Sequence, residues 1–156
     1  MKSLLILGAG GFGRMIKETA LALGYEEVLF LDDTAKDDDV IGRCCDYHLY
    51  HRDYSVAVAA FGNNKTRLFW TQKLLEEEYE VPAIVHPSAI VSPSVRLEPG
   101  CFIMQRAVVN MNTTIKMAAL INSGAVVDHD SIVEEGAHVG LGSVVKAHCV
   151  IEPGRK

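Results

Sequence analysis

The sequence lacks several features that would place a protein in other functional classes. Its early apolar run, Leu4–Leu7, is stopped by Gly8 and is far too short for a signal peptide or a membrane span. Basic residues number 15 against 20 acidic ones, and this formal net charge of −5 offers no basic surface to nucleic acid or anionic lipid. We therefore expect a soluble, cytoplasmic protein that binds neither nucleic acid nor membranes.

Cysteine is scarce, and its spacing indicates no metal or redox motif. The four cysteines (Cys44, Cys45, Cys101 and Cys149) contain no CxxC pair, and we interpret them as reduced, small apolar residues. Apolar residues, in contrast, make up 49% of the 156 residues. That proportion supplies a buried core for one domain or two small ones and excludes disorder as the main state.

Residues 1–80 alternate strand-like and helix-like segments. Apolar runs at Ser3–Leu7, Val28–Leu31 and Ser55–Phe61 predict strands, and helical patterns follow the first and third runs. This alternation predicts a small parallel sheet with helical crossovers, an α/β Rossmann-like domain. Thr34–Asp53 has no clear period, so we expect a loop there with its aspartates in solvent. The second helix is expected over Lys65–Tyr79, with an apolar side formed by Leu68, Phe69, Leu74 and Leu75.

Beyond Pro82 the sequence follows a strict period of six. Every sixth residue is aliphatic, giving twelve in succession: Val85, Val91, Leu97, Ile103, Val109, Ile115, Ile121, Val127, Val133, Val139, Val145 and Ile151. The residue four positions after each of the first eleven, from Ala89 to Cys149, is never larger than valine. Neither an α-helix nor a flat strand has this period, whereas a left-handed parallel β-helix of hexapeptide repeats does. With three hexads in each coil, residues 85–156 predict four coils, and residues 81–84 form a linker.

A glycine-rich turn follows the first predicted strand. In Gly8-x-Gly10-x-x-Gly13 the glycines let the backbone approach a phosphate, and the helix that follows supplies NH donors. Asp32 ends the second strand, where a carboxylate would accept hydrogen bonds from a ribose or a base. Taken alone, the motif would indicate an NAD-binding domain, but residues 1–80 leave room for one nucleotide rather than two. A tight turn without a ligand is the alternative.

His129 is the candidate general base of the second half. It lies two residues after an inward valine and so faces outward, with Asp130 beside it to orient the ring or stabilise its protonated form. Residues one coil apart lie directly above one another. This places Met111 below His129 and the small Ala147 above it, which leaves space over the imidazole. By the same spacing, His148 lies above Asp130. A surface histidine without chemistry is the alternative.

His138 lies half a coil further on, on a different side of the β-helix. The two histidines could meet only across the cleft between neighbouring copies, so we expect a homotrimer that also buries flat apolar sides. Zinc on His129, His138 and His148 is an alternative. Their spacings of nine and ten residues lack the close histidine pair of the carbonic anhydrases with this fold, so we expect no metal.

These features together resemble a known family. The segments that carry the resemblance are Leu5–Gly13, Phe30–Asp33, Ala60–Arg67, Val85–Ala89 and, most specifically, Ile121–Asp130. They are similar to the bacterial sugar acetyltransferases of the sialic-acid O-acetyltransferase type, which include enzymes that N-acetylate UDP-4-amino-sugars. The similarity runs along nearly the whole chain.

The resemblance implies an acetyltransferase with two substrate sites. The nucleotide-sugar pocket it implies in residues 1–80 is formed by Gly10, Gly11, Phe12, Gly13, Asp32, Asp33, Gly62 and Asn63. It implies acetyl-CoA as co-substrate in the groove between β-helices of a trimer, contacted by His138 and Ala147. It also implies His129 as general base, Asp130 as the carboxylate that raises its basicity, and direct acetyl transfer to the amine of a UDP-amino sugar.

Other hypotheses stay open beside this one. Members of the family usually continue for several more coils, so we expect the chain to be either shortened or a minimal variant, with the acetyl-CoA groove as its least complete part. O-acetylation of a sialic acid would use the same base. A non-catalytic sugar-nucleotide-binding trimer is a third hypothesis. An NAD-linked oxidoreductase is disfavoured because the second half has no catalytic pair for that chemistry.

Overall fold

The chain divides into two units, Met1–Pro82 and Ala83–Lys156. The computed structural model describes residues 1–154; Arg155 and Lys156, the last two residues of the predicted 85–156 domain, lie outside the described residues. Within residues 1–154, no helix combines the length and the apolar character that crossing a membrane requires.

The first unit is built on a four-stranded parallel sheet. Its elements in chain order are β1 (Ser3–Leu7), α1 (Gly11–Ala22), β2 (Glu27–Leu31), β3 (Val40–Gly42), a 3₁₀ helix (Cys44–Leu49), β4 (Ala57–Ala59) and α2 (Asn64–Glu76). The strand order is β3-β2-β1-β4. Residues 4–7 of the central strand β1 are fully buried, as is usual in a parallel sheet covered on both faces. The predicted α/β Rossmann-like fold is confirmed here.

The segment predicted as a loop, Thr34–Asp53, has more structure than its sequence suggests. It contains β3 and the 3₁₀ helix. Its aspartate run is also not simply in solvent, since the Asp39 carboxylate lies 2.7 Å from both the Arg14 guanidinium and the Lys17 ammonium. These ion pairs tie the segment to α1.

The predicted apolar side of α2 is correct for the buried Leu74 and wrong for Phe69. The buried residues are Arg67, Thr71 and Leu74, whereas Phe69 is 49% exposed. Residues three and four apart share one face of a helix, and two of these three are polar. The Thr71 hydroxyl donates to the Arg67 carbonyl at 2.8 Å. A buried stripe with two polar members gives no hydrophobic signal in the sequence.

The second unit is a parallel β-helix made of two-residue strands. These are β5 (Ile84–Val85), β6 (Ile90–Val91), β7 (Arg96–Leu97), β8 (Phe102–Ile103), β9 (Val108–Val109), β10 (Thr114–Ile115), β11 (Leu120–Ile121), β12 (Val126–Val127), β13 (Ile132–Val133), β14 (His138–Val139), β15 (Val144–Val145) and β16 (Val150–Ile151). Each strand pairs in parallel with the strand one coil away, as Ile84 does with Phe102. The result is three four-stranded sheets, which confirms the hexapeptide-repeat prediction.

The interior of the β-helix is filled as the period of six predicts. Every member of the aliphatic series from Val85 to Ile151 belongs to the core cluster or packs against it. The small residues four positions later are buried or half-buried, except Ser143, which is exposed. Thr113 and Ser131 are buried in this series, and each hydroxyl donates to a backbone carbonyl at 3.1 Å. Polar atoms in this narrow interior are therefore satisfied.

A left-handed backbone conformation recurs at the corners of the β-helix. From Gly100 to Gly154, every sixth residue has a φ between 56° and 71°. Glycine adopts this conformation freely, and asparagine, aspartate and histidine adopt it more readily than most other residues. Asp130 and His148 occupy this position on successive coils, so they stack at one corner.

Candidate active site

His129 lies at the corner that follows β12. The next residue, Asp130, has a φ of 57°, and its backbone NH donates to the Met111 carbonyl of the coil below at 3.0 Å. This turn leaves the side chains of His129 and Asp130 on the outer surface, 38% and 35% exposed. Both are therefore accessible to a substrate.

The two side chains form a hydrogen-bonded pair. His129 Nδ1 lies 2.7 Å from Asp130 Oδ2. A carboxylate only accepts, so Nδ1 carries the proton and Nε2 is the basic nitrogen. This hydrogen bond raises the pKa of His129 above its usual range, opposed by partial desolvation and aided by the charges of Asp128 and Asp130. The same bond lowers the pKa of Asp130. A base with its orienting carboxylate has this arrangement.

Asp128 fixes the backbone beneath the histidine. Its Oδ1 accepts from the backbone NH of His129 at 2.8 Å and from Asn110 Nδ2 at 3.0 Å. The Asn110 hydrogen bond, followed by that from His129, lowers the pKa of Asp128. No role was predicted for Asp128, although its place next to His129 was a signal.

His148 lies against the His129 ring, a contact that the sequence did not reveal. The ring centroids are 5.3 Å apart and the planes meet at 88°, an edge-to-face arrangement. The backbone NH of His148 also donates to the His129 carbonyl at 3.2 Å. The space expected over the imidazole at Ala147 is thus bordered by a second imidazole. One signal in the sequence could have indicated this contact, because His148 follows His129 by one coil plus one residue.

His138 lies in a different sheet of the β-helix from the strand before His129. It belongs to β14, and its Nε2 lies 3.0 Å from Asn122 Nδ2. It borders a cavity of about 180 Å³ that is also lined by Ser143. The structure does not bring His129 and His138 together within one chain. The roles of His138 and of the half-exposed Ala147 stay predictions.

The glycine-rich turn divides into packing glycines and open glycines. A Cβ on Gly8 would lie 2.7 Å from the Ala60 carbonyl oxygen, and a Cβ on Gly13 would lie 1.9 Å from the Gly8 carbonyl oxygen. Within residues 1–154, and apart from chain neighbours and the helix backbone, no atom lies within 4 Å of where a Cβ on Gly10 or Gly11 would be. The open pair leaves space at the N-terminus of α1, a position suited to an anion.

The loops after β1 and β4 lie where the strand order reverses. In parallel sheets, ligand crevices form at the carboxyl ends of the strands at such a point. The loop after β4 holds Gly62, which also has open space around it, and Asn63, whose Oδ1 accepts from the Thr66 NH at 3.0 Å to cap α2. Phe12, at the start of α1, is half-buried. The sequence-predicted residues of these loops are therefore on one edge of the sheet.

Asp32 and Asp33 are engaged by the protein's own backbone. Asp32 accepts from the NH groups of Ala9 at 2.7 Å and Ala35 at 2.8 Å. Partial burial raises the pKa of Asp32, but its backbone hydrogen bonds outweigh this effect, so the pKa lies below its usual range. Asp33 accepts from the Cys44 NH at 3.0 Å. Both line a cavity of about 470 Å³, and their predicted contact with a ligand stays a prediction.

Arg67 supports the loop after β4, a role that was not predicted. Its fully buried guanidinium donates to the Phe61 carbonyl at 3.0 Å and to Asn64 Oδ1 at 2.9 Å. Burial lowers the pKa of Arg67 to about 10. The cation thereby fixes the loop that carries Gly62.

A family model described as the PglD N-terminal domain matches residues 3–74. The acetyltransferase domain of PglB from Neisseria gonorrhoeae, solved with acetyl coenzyme A, is 28% identical with a TM-score of 0.89, over 96% of this chain and 84% of that one. PerB from Caulobacter crescentus, solved with CoA and GDP-perosamine, is 30% identical with a TM-score of 0.86, over 92% of this chain and 71% of that one.

A histidine-to-alanine variant of the GDP-perosamine N-acetyltransferase from Caulobacter crescentus, also solved with CoA and GDP-perosamine, has the same identity and coverage and a TM-score of 0.84. The family predicted from the sequence is thus confirmed by neighbours that match both units. The chain belongs to the bacterial nucleotide-sugar acetyltransferases of the hexapeptide-repeat family and is an acyltransferase.

Proposed function

We propose that this protein transfers the acetyl group of acetyl-CoA to the amine of a nucleotide-activated amino sugar. The observation that carries the proposal is the His129–Asp130 pair, 2.7 Å apart on the outer surface of a β-helix. It is supported by PglB, which was solved with acetyl coenzyme A, and by PerB, which was solved with CoA and GDP-perosamine. For the nucleotide we propose UDP, as in the enzymes that the sequence resembles, and GDP is the competing outcome.

The geometry of the pair fits the proton transfer that this reaction needs. The amine nitrogen attacks the thioester carbon, the nitrogen–carbon bond forms, and the carbon–sulfur bond breaks to release CoA thiolate. The amine proton passes to His129 Nε2, since Nδ1 is held by Asp130, and from there to the thiolate or to water. No covalent acyl-enzyme is needed. Proton transfer of this kind contributes typically about 10²–10⁴-fold, and positioning of the substrates contributes the rest.

Each substrate has candidate residues within one unit. For the nucleotide sugar, there is open space beside Gly10, Gly11 and Gly62 in which its phosphates would lie. For acetyl-CoA, we keep His138 and Ala147 as contact residues; the cavity of about 180 Å³ beside His138 supports the first of these.

We also propose that the protein works as a homotrimer. The outward residues of the sheet β6-β9-β12-β15 are all aliphatic: Ile90, Val108, Val126 and Val144. The two at its ends are 67% and 68% exposed. A continuous apolar column of this kind fits burial against further copies of the chain. His129 follows this sheet directly, so a neighbouring copy would lie beside it.

The test is an acetyl-transfer assay with a matched histidine control. The protein is incubated with acetyl-CoA and a panel of UDP- and GDP-amino sugars and sialic acids, and thiol release is followed. We expect His129→Ala to lower the rate by about 10²–10⁴-fold, and His48→Ala, which removes an exposed imidazole of the first unit, to leave it unchanged. Equal rates in wild type and His129→Ala would refute the base.

The product distinguishes the alternatives. Alkaline hydroxylamine cleaves an O-acetyl ester and spares an N-acetyl amide, so a labile product would assign O-acetylation. No thiol release with any acceptor, together with calorimetric binding of a nucleotide sugar, would assign the non-catalytic binding trimer.

A further inference from the structure

We propose that His129, Asp130 and His148 form a binding site for a divalent transition-metal ion, best matched by zinc, and that metal bound there blocks the general base. One donor atom from each of the three residues can be chosen so that all lie within 4.8 Å of one another. This group differs from the histidine trio weighed from the sequence, which included His138 and led to the expectation of no metal. The binding stands independently; the inhibition rests on the proposed function.

The fold assembles the three side chains through its backbone. Asp130 and His148 occupy the same left-handed corner position on successive coils. The hydrogen bond from the His148 NH to the His129 carbonyl, at 3.2 Å, holds the upper coil against the lower one. The two imidazoles consequently lie 5.3 Å apart between centroids, with the Asp130 carboxylate 2.7 Å from one of them. The donors therefore come from stacked coils rather than from separate loops.

The donor set selects the class of metal. Two imidazole nitrogens and one carboxylate oxygen suit zinc and its neighbours, whereas magnesium and calcium prefer oxygen ligands alone. Zinc–nitrogen bonds of about 2.0–2.1 Å in a tetrahedron place donor atoms about 3.3 Å apart. The three side chains can rotate to this spacing, since His129 and Asp130 are half-exposed and His148 is exposed. The fourth position remains open to water.

Metal at this site would remove the base from the reaction. A nitrogen of His129 that coordinates zinc can no longer accept a proton from an amine. If Nδ1 coordinates the metal, Nε2 carries the remaining ring proton and only donates. Coordination by Asp130 would also break its hydrogen bond to the ring. Bound zinc and proton acceptance by His129 are therefore mutually exclusive.

Binding is tested by calorimetric titration of zinc chloride into the metal-free, full-length protein without substrate. We expect about one zinc per chain in wild type and in His48→Ala, and an affinity at least about tenfold lower in His148→Ala, which loses a ligand. The absence of saturable binding in wild type, or equal affinity in His148→Ala, would overturn the site. Equal binding of magnesium would overturn the assigned metal class.

Inhibition is tested separately in the acetyl-transfer assay. We expect zinc to lower the wild-type rate and a chelator to restore it. With each rate taken relative to the same protein's own metal-free rate, His148→Ala should require at least about tenfold more zinc for the same fractional inhibition. Equal zinc sensitivity of the two proteins would overturn the blocking role. An enzyme inactive even without metal would refute the proposed function, while calorimetry would still decide the metal site.

Discussion

Replacing Gly13 by alanine should strongly destabilise the first unit, whereas the same change at Gly10 should not. A Cβ at Gly13 would lie 1.9 Å from the Gly8 carbonyl oxygen and 2.8 Å from its carbon. Ordinary contact begins near 3.4 Å, so the start of α1 and the turn would have to separate by about 1.5 Å.

The magnitude follows from the atoms that clash. Overpacking a well-packed region costs typically about 1–3 kcal/mol. Here the added Cβ is fixed to the backbone and meets a backbone carbonyl, so no flexible side chain can rotate away, and we expect a loss of about 3 kcal/mol or more. At Gly10 there is open space, and its φ of −78° and ψ of −167° are accessible to alanine. Its expected change in free energy of unfolding is within about 0.5 kcal/mol.

The single tryptophan makes the assay specific to the first unit. Trp70 lies in α2 and packs edge-on against Tyr47, so tryptophan fluorescence during urea denaturation follows this unit. A Gly13→Ala protein within about 1 kcal/mol of wild type would refute the steric reasoning. Gly10→Ala should instead weaken nucleotide-sugar binding, because the methyl group enters the open space. Unchanged affinity would contradict the proposed use of this turn.

Three further perturbations test other parts of the molecule. Asp130→Asn should lower kcat by more than about tenfold but less than His129→Ala does, since the ring loses its orienting carboxylate while the base remains; an unchanged kcat would contradict this. The hydrogen bond from Arg14 holds the pKa of Asp39 at about 2, below its ordinary value. The pKa of Asp39 is lower in the folded protein than in the unfolded chain. The stabilisation of the folded state by this carboxylate is therefore present above about pH 4 and lost as the pH falls towards 2. Solvent screening at this half-exposed pair limits it to about 1 kcal/mol. Urea denaturation of wild type between pH 5 and 2 should show this loss, and Asp39→Asn should lack it; identical pH dependence would refute the pairing. Val126→Glu should convert trimers to monomers in sedimentation equilibrium, and an unchanged mass would place the interface elsewhere.

The β-helix could be predicted because every interior position has the same local requirement, whatever residues lie next to it. A residue such as Val85 or Ile151 is aliphatic for a local reason, the narrow triangular interior, so the period of six survives in the bare sequence. The structure of the first unit was harder to predict from the sequence. β3 has three half-buried residues and pairs through its backbone. Arg67 is buried by hydrogen bonds to carbonyls, which leave no hydrophobic pattern.

The candidate site divides in the same way. His129 and Asp130 are neighbours in sequence, so their pairing could be anticipated. The contact of His129 with His148 depends on the register between coils, and the ring orientations became visible only in the structure. Asp32 is the opposite case. Its carboxylate accepts from backbone NH groups, which cannot be read from residue types, and these hydrogen bonds compete with the expected ligand contacts.

The repeating corners have a consequence for how such a protein acquires new chemistry. Asn112, Asp130 and His148 share one corner on three successive coils, each with the same backbone torsion. The three side chains are therefore stacked one coil apart, and a single substitution at this corner can introduce an amide, a carboxylate or an imidazole at a fixed position. The reactive groups on this corner can thus change while the backbone of the β-helix stays the same.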